Sequence, residues 1–233
     1  MKIIVRAAGE RTESECIALA QLQGEVIVVR KRPFGEAVRE TYRIGSKMTQ
    51  KWIPVIDADV LLHPGILREA LKWLGEHKGK IFCLDGRTED KITCRTRRAG
   101  IHIYNRKHLL KAVKYVDDKH IKPESHARKQ MAKLGFKTVA PRIIFGLHDY
   151  EQFYCDLWRK AVTQTRKLAK MIKKKNLVSK WKRKLKKDDD YRVILEAHRH
   201  GIKYTGQIII DKAVDYNAVS AIKLLGYREK KPL

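Results

Sequence analysis

Two carboxylates spaced i, i+2 close a short apolar run, Trp52-Ile53-Pro54-Val55-Ile56-Asp57-Ala58-Asp59. The run has the length and composition of a buried strand, and Pro64-Gly65 then opens an amphipathic stretch. In an open α/β sheet, ligands bind outside the carboxyl ends of the strands, and a buried strand mounts such side chains rigidly. Asp57 and Asp59 could there hold a divalent cation together with a ribose or a diphosphate. Hard oxygen ligands suit Mg2+ or Mn2+ rather than soft metals. The competing reading is a helix cap, because Asp before an apolar periodic segment is common.

The elements that would position these groups alternate. Strands are expected at Lys2–Val5, Glu25–Val29, Trp52 to the Asp57/Asp59 pair, and Lys80–Leu84. Helices are expected between them at Thr12–Gln23, Glu36–Thr49 and Gly65–Gly75. This rhythm predicts a mostly parallel sheet flanked by helices on both faces. Asp85–Ala99 lacks periodicity and reads as a loop over the site or a hairpin. Beyond it come a strand at Gly100–Tyr104 and helices at Lys107–Val116 and Ser125–Leu134, the latter closed by Gly135. Short strands follow at Phe136–Ala140 and Ile143–Phe145. After Tyr150 the chain becomes basic and helical. Asp188-Asp189-Asp190 caps a helix at Tyr191–His200, and Gln207–Ile210 and Tyr216–Leu225 complete the chain as a strand and a helix. The expected division is an α/β domain over 1–150 and a basic helical arm with a small C-terminal module over 151–233.

With 43% apolar residues in 233, the chain can bury a sizeable core, which excludes global disorder. Its 52 Lys+Arg against 26 Asp+Glu leave a net charge of +26, which points to a polyanionic partner. Cys16, Cys83, Cys94 and Cys155 show no C-x-x-C spacing and read as reduced thiols of a cytoplasmic protein. No run has the apolar length of a membrane span.

Several motifs in order make residues 1–150 resemble a GT-A glycosyltransferase domain of the family-2 type. Arg39-Glu-Thr-Tyr-Arg-Ile-Gly45 stands where such enzymes carry an Arg/Asn–Gly stretch, and Ile56-Asp57-Ala58-Asp59 resembles their D-x-D motif. Glu124 lies eleven residues before Gly135, and His148 thirteen residues after it. The resemblance implies a nucleotide-sugar donor, by default a UDP-sugar, contacted by Ala8, Glu10, Arg11, Arg43, Lys47, Asp57 and Ala58. It implies Mn2+ or Mg2+ on Asp59, His148 and Asp57, and an acceptor base at Glu124. Three departures stand out. Arg30-Lys31-Arg32 replaces the acidic residue expected to hold uracil, Pro123-Glu124 replaces a Glu-Asp pair, and the Arg of the following helix is replaced near Gln130.

The chemistry fits these roles independently. A metal offsets the charge growing on a diphosphate leaving group, fixed cations such as Arg11, Arg43 and Lys47 add to it, and a carboxylate activates a hydroxyl. Each group also has a structural alternative: Glu124 could complement a helix dipole, His148 could be a half-buried histidine, and Asp149 reads as a surface residue.

From Arg159 to Lys187 there are fourteen Lys/Arg and no acidic residue, with Leu157, Ala161, Thr165, Leu168, Ile172, Leu177, Trp181 and Leu185 at helical spacings. Arg159, Arg166, Lys170, Lys173, Lys174, Lys182 and Arg183 are the candidates to bind an anionic acceptor. A nucleic acid, in particular a modified base in phage DNA, is the favoured acceptor, because the charge extends beyond one helix and Lys173-Lys174-Lys175-Asn176 interrupts the apolar face. An anionic membrane, with Trp158, Trp181 and Leu185 at headgroup level, is the alternative. A non-catalytic DNA-binding protein is a third reading.

Overall fold

The computed structural model describes residues 1–120, 122–167, 169–174, 176–209 and 214–233, without the side chains of residues 170, 171 and 174. The expectations for Leu168, for the side chains of Lys170 and Lys174, for Lys175, and for a strand reaching Ile210 therefore lie outside the described residues.

The chain opens as β1 (Lys2–Arg6), α1 (Glu13–Gln21), β2 (Glu25–Val29), α2 (Phe34–Lys47) and β3 (Trp52–Asp57). A two-residue turn leads to β4 (Val60–Leu62), then α3 (Ile66–Glu76), β5 (Ile81–Asp90) and β6 (Arg95–Asn105). Next come α4 (Leu109–Val113), α5 (Pro123–Lys133), β7 (Lys137–Val139) and β8 (Ile144–His148). The C-terminal part is helical: α6 (Tyr154–Lys167), α7 (Ala169–Lys174), α8 (Leu177–Leu185), α9 (Asp190–Lys203) and α10 (Ala218–Leu224).

The strands form one sheet in the order β2-β1-β3-β6-β5-β8-β4, with β7 beside β5. Among the described residues four of its seven pairings are parallel and three antiparallel. Period-2 alternation divides the core. Ile3, Val5, Ile56, Ile101 and Ile103 pack with Leu67 and Leu74 of α3, whereas Ile4, Val55, Phe82 and Tyr104 pack with Tyr42 of α2 and Met131 of α5. Helices cover both faces, as the sequence predicts. At Gly45 a Cβ would approach Leu109 Cδ1 to 2.7 Å, so glycine allows α2 and α4 to meet.

Three elements differ from expectation, and the choice left open for Asp85–Ala99 is resolved. The strand expected to reach the Asp57/Asp59 pair stops at Asp57, and beyond the Ala58-Asp59 turn an unforeseen strand, β4, begins. Asp85–Ala99 takes the hairpin form, with β5 and β6 extended to a turn at 91–94. Asp90, Lys91 and Thr93 are buried there, with Thr93 bonded to Asp90 and the Lys91 ammonium paired with Asp188 and Asp190, and these polar contacts in place of apolar ones explain the missing apolar signal. The helix at Lys107–Val116 shrinks to a 3-10 turn followed by α4. Gln207–Ile209 is not a strand; Ile209 exchanges two hydrogen bonds with the Tyr216 hydroxyl instead.

The C-terminal helices build their own core around Leu157, Val162, Leu177, Trp181 and Ile194, and Ile92 of the β5–β6 turn joins it. Trp181 Nε1 donates to Ile92 O at 2.6 Å and Trp158 Nε1 to Tyr216 O at 3.0 Å. Both indoles are buried, which removes them as headgroup anchors. Among the described residues no helix is long and apolar enough to cross a membrane.

Candidate active site

The carboxyl ends of β1 and β3 lie side by side, with Arg6 in register with Asp57. Arg6, 4% exposed, gives Nε to Asp57 Oδ1 at 2.8 Å, and Nη1 and Nη2 to the two Glu124 oxygens at 2.7 and 3.3 Å. One guanidinium thus joins the strand end to the first turn of α5. Glu124 also accepts from Tyr104 Oη at 2.7 Å and faces His102 Nε2 at 3.1 Å. Burial alone would raise the Glu124 pKa, but Arg6 and then His102 hold it well below the usual carboxylate range. Asp57 receives only what is left of Arg6, and burial together with Asp59 and Glu124 pushes its carboxyl up to about 6.

The Ala58-Asp59 turn is pinned by Ala58 N to Arg6 O at 2.9 Å and by Thr12 Oγ1 to Ala58 O at 2.8 Å. It presents Asp59 to the end of β8, where Asp149 N donates to Asp59 O at 3.1 Å. His148 lies opposite Val60 in one ladder and Asp90 in another. Its Nδ1 is held by Asp90 Oδ2 at 2.8 Å, leaving Nε2 facing Asp59 Oδ1 at 3.6 Å. A carboxylate behind one ring nitrogen, with the other nitrogen free to ligate, is the usual support of a metal-binding histidine. Gly100, at φ +70°, makes room for this ring: a Cβ there would approach His148 Cδ2 to 2.8 Å. Burial would lower the imidazole pKa, but Asp149 and Asp59 raise it to about 10.

Asp59, His148 and Asp149 each offer a ligand atom within 4.8 Å of the others. Asp59 Oδ1 is buried without a hydrogen-bond partner. The ammonium of Lys160, from α6, lies between the acids, donating to Asp59 Oδ2 at 2.6 Å and to Asp149 Oδ1. A cation already stands among these oxygens, and two carboxylates with one imidazole are a donor set that suits Mn2+. The residues fit the metal. Lys160, ahead of His148, holds the Asp59 carboxyl below its usual range against the effect of burial.

Arg6, Asp57, Asp59, His102, Glu124, His148, Asp149 and Lys160 line one cavity of about 360 Å3. Of the residues singled out in the sequence, Ala8, Glu10, Asp57, Asp59, Glu124 and His148 come together in this cavity. Ala58 forms the turn behind them, fully buried. Arg11, Arg43 and Lys47 do not line the cavity. Arg11 is drawn to Glu151 at 2.8 Å, Arg43 to Glu40 at 3.6 Å, and Lys47 is exposed in the last turn of α2. Asp149 is the opposite correction: it is 1% exposed and belongs to the site. Arg159 is buried and lines the cavity rather than facing outward, whereas Arg166, Lys173, Lys182 and Arg183 are exposed.

Arg6, Lys160, Asp90, Asp85 and Arg128 carry no motif that singles them out. Arg128 gives Nη1 to Asp85 Oδ1 at 3.1 Å and meets His102 Nδ1 at 2.6 Å. It places an arginine in the cavity from the helix in which Gln130 marked a departure. A period-3.6 count from Glu124 (one turn to Arg128) is the signal that could have found it.

No known family model and no curated protein matches the chain. Among solved structures, a mannosyltransferase from Pyrobaculum calidifontis in complex with GDP-Man and Mn2+ superposes with a TM-score of 0.51 and 13% identity. That match covers 97% of this chain and 80% of that one. A glycosyltransferase involved in glycosylation of the major capsid of PBCV-1 matches with a TM-score of 0.42 and 8% identity, over 65% of this chain and 94% of that one. What the first likeness establishes is architecture: the chain has the mixed α/β, helix-flanked sheet of the GT-A glycosyltransferase fold.

Proposed function

We propose that the protein is a metal-dependent glycosyltransferase that moves a sugar from a nucleotide-sugar to a hydroxyl of an anionic acceptor. The observation that carries this reading is the convergence of Asp59, His148 and Asp149, with an orphaned Asp59 oxygen, beside Glu124 and Asp57 in one cavity. The P. calidifontis structure, whose fold this chain shares, holds GDP-Man and Mn2+. Asp59, His148 and Asp149 would hold Mn2+ or Mg2+, which supplies charge stabilisation to a diphosphate leaving group.

The chain's own residues do the rest. Asp57, kept in place by Arg6, receives the ribose hydroxyls. Lys160, whose ammonium stands among the same acids until the ion takes its place, keeps a positive charge in that corner of the cavity. Glu124 accepts the proton of the attacking hydroxyl. Its low proton affinity suits a late transfer, because a hydroxyl already bonding to the anomeric carbon becomes strongly acidic and even a weak base takes its proton. Lys31 and Arg32 line the cavity beside the end of β2, where an acidic residue would mark uracil. UDP is therefore one donor nucleotide among several to be tried.

For the acceptor, DNA carrying a hydroxylated base of the bacteriophage kind is favoured. Arg166, Lys173, Lys182 and Arg183 are exposed on α6–α8, while the tryptophans required by the membrane reading are buried. Turnover of a panel of nucleotide-sugars should require Mn2+ or Mg2+. Asp59→Asn should abolish it while leaving the circular dichroism spectrum unchanged. Equal turnover in the variant, or in wild type without metal, refutes the assignment.

A further inference from the structure

One face of α6 forms a wall of the cavity. Lys160, Thr163, Gln164 and Lys167, at offsets of three, four and seven residues, all line it, together with Arg159. Lys160 is engaged by Asp59 and Asp149, but the groups further along are not matched in this way. Thr163 is 5% exposed, and its Oγ1 is buried without a hydrogen-bond partner. Arg159, 8% exposed, gives Nη2 to Asp156 at 3.3 Å, yet its Nε is buried and unpartnered. Lys167 and Lys122 line the same cavity, and among the described residues neither forms an ion pair. Buried donors without acceptors are costly, and native structures keep them chiefly where a ligand or water takes them up. Burial first, and then Lys122, Arg159 and Arg97, lower the Lys167 ammonium to about 7.

We propose that Arg159, Thr163 and Lys167, with Lys122 at the start of α5, form a phosphate-binding subsite for the acceptor, separate from the donor diphosphate. The proposal rests on the glycosyltransferase reading for which ligand is donor and which is acceptor. Two turns of helix, about 10 Å along its axis, separate Lys167 from Lys160, so the cation at the Asp59 end and the cation at this end serve different anions. Lys122 immediately precedes Pro123-Glu124, which places the subsite on the side of the group that receives the acceptor proton. The donors are suited to a tetrahedral oxyanion: a guanidinium N–H, a hydroxyl and two ammonium groups. A phosphate bound here would hold the acceptor beside Glu124 and lift the mutual repulsion of the cluster.

The test is calorimetry on the full chain, with Mn2+ and a nucleoside diphosphate filling the donor site. The probes are a thymidine dinucleotide (phosphodiester), glycerol 3-phosphate (phosphomonoester) and glycerol (neutral). Wild type should bind at least one phosphate probe and not glycerol. Lys167→Met and Thr163→Val should each weaken that binding tenfold or more, with nucleoside diphosphate affinity within twofold of wild type. Preference for the dinucleotide assigns the phosphate to nucleic acid; preference for the monoester assigns it to a phosphorylated lipid or sugar. Phosphate probes that bind no better than glycerol, or that bind both variants as well as wild type, overturn the subsite. If phosphate binds but nucleoside diphosphate does not, the donor assignment falls and the subsite stands.

Discussion

Lys160 can be tested by removing its charge while keeping its length. In Lys160→Met, Asp59 and Asp149 lose the ammonium they share, and both are buried, with side chains 13% and 1% exposed. His148 remains near them at 3.6 and 3.2 Å. Removing one partner of a buried ion pair costs about 3–5 kcal/mol. At roughly 2–4 °C per kcal/mol for a chain of this size, the metal-free variant should melt on the order of 10 °C below wild type. Metal affinity should move the other way. In wild type a divalent cation must displace the ammonium from the oxygens it would ligate; in the variant those oxygens are already free. If about 2–3 kcal/mol of the lost interaction is regained on binding, Mn2+ should bind about 30–140-fold more tightly. Its stabilising effect at a given concentration should rise accordingly. The assay is a thermal melt with and without Mn2+, beside a Mn2+ titration followed by electron paramagnetic resonance. Equal Mn2+ affinity in the two proteins would refute the idea that Lys160 occupies the place of the ion.

Two further outcomes follow from the charges. Because Arg6 and His102 depress the Glu124 pKa below its ordinary 4.5, the group contributes stability that is fully present above pH 4.5 and lost as pH falls through the folded-state value. Glu124→Gln should therefore lower stability at pH 7 by about 3 kcal/mol and flatten the acid limb below pH 4.5, read from urea midpoints. Acid limbs that run parallel in the two proteins would contradict this. On the surface, replacing Arg166, Lys182 and Arg183 by Gln should reduce the slope of log affinity against log salt for duplex DNA by about 0.9 per charge. An unchanged slope would make these residues a solvated face and nothing more.

The alternation of strand and helix was legible because each element pairs an apolar period with turn residues, as in β3 and α3. The Asp57/Asp59 pair was legible for the same reason: it interrupts an apolar run at the end of a strand. What stayed hidden are groups whose partners are distant in sequence. Asp90 lies in a polar stretch without periodicity, and its burial depends on His148, Arg97 and Thr93 closing around it. Lys160 is one of fourteen cations in a stretch that reads as a solvated arm; only the docking of α6 beside Asp59, 101 positions earlier, distinguishes it. Arg11, Arg43 and Lys47 show the converse. Their positions in the chain suit phosphate binding, but the rotation of α2 and the pull of Glu151 turn them elsewhere.

The basic excess acquires a meaning from where the acids are. Of 26 acidic side chains in the chain, Glu10, Asp57, Asp59, Asp85, Glu124 and Asp149 line a single cavity. Chance would scatter them over a surface that the cations dominate. Inside the cavity they are matched by Arg6, Lys160, His148, His102 and Arg128, so at the strand ends positive and negative charge are interleaved. Toward the far end of α6 the interleaving stops, and among the described residues neither Lys167 nor Lys122, at the start of α5, forms an ion pair. A cavity that balances its charge at one end and leaves it unbalanced at the other has two different tasks. In the proposed function the balanced end is the place for a cation and the sugar hydroxyls, where too much positive charge would repel the metal. The unbalanced end is complete only when an anion enters. A positively charged chain that merely needed solubility would keep its cations in water; this one buries Arg159 and half-buries Lys167 beside it, a costly arrangement that a bound phosphate offsets.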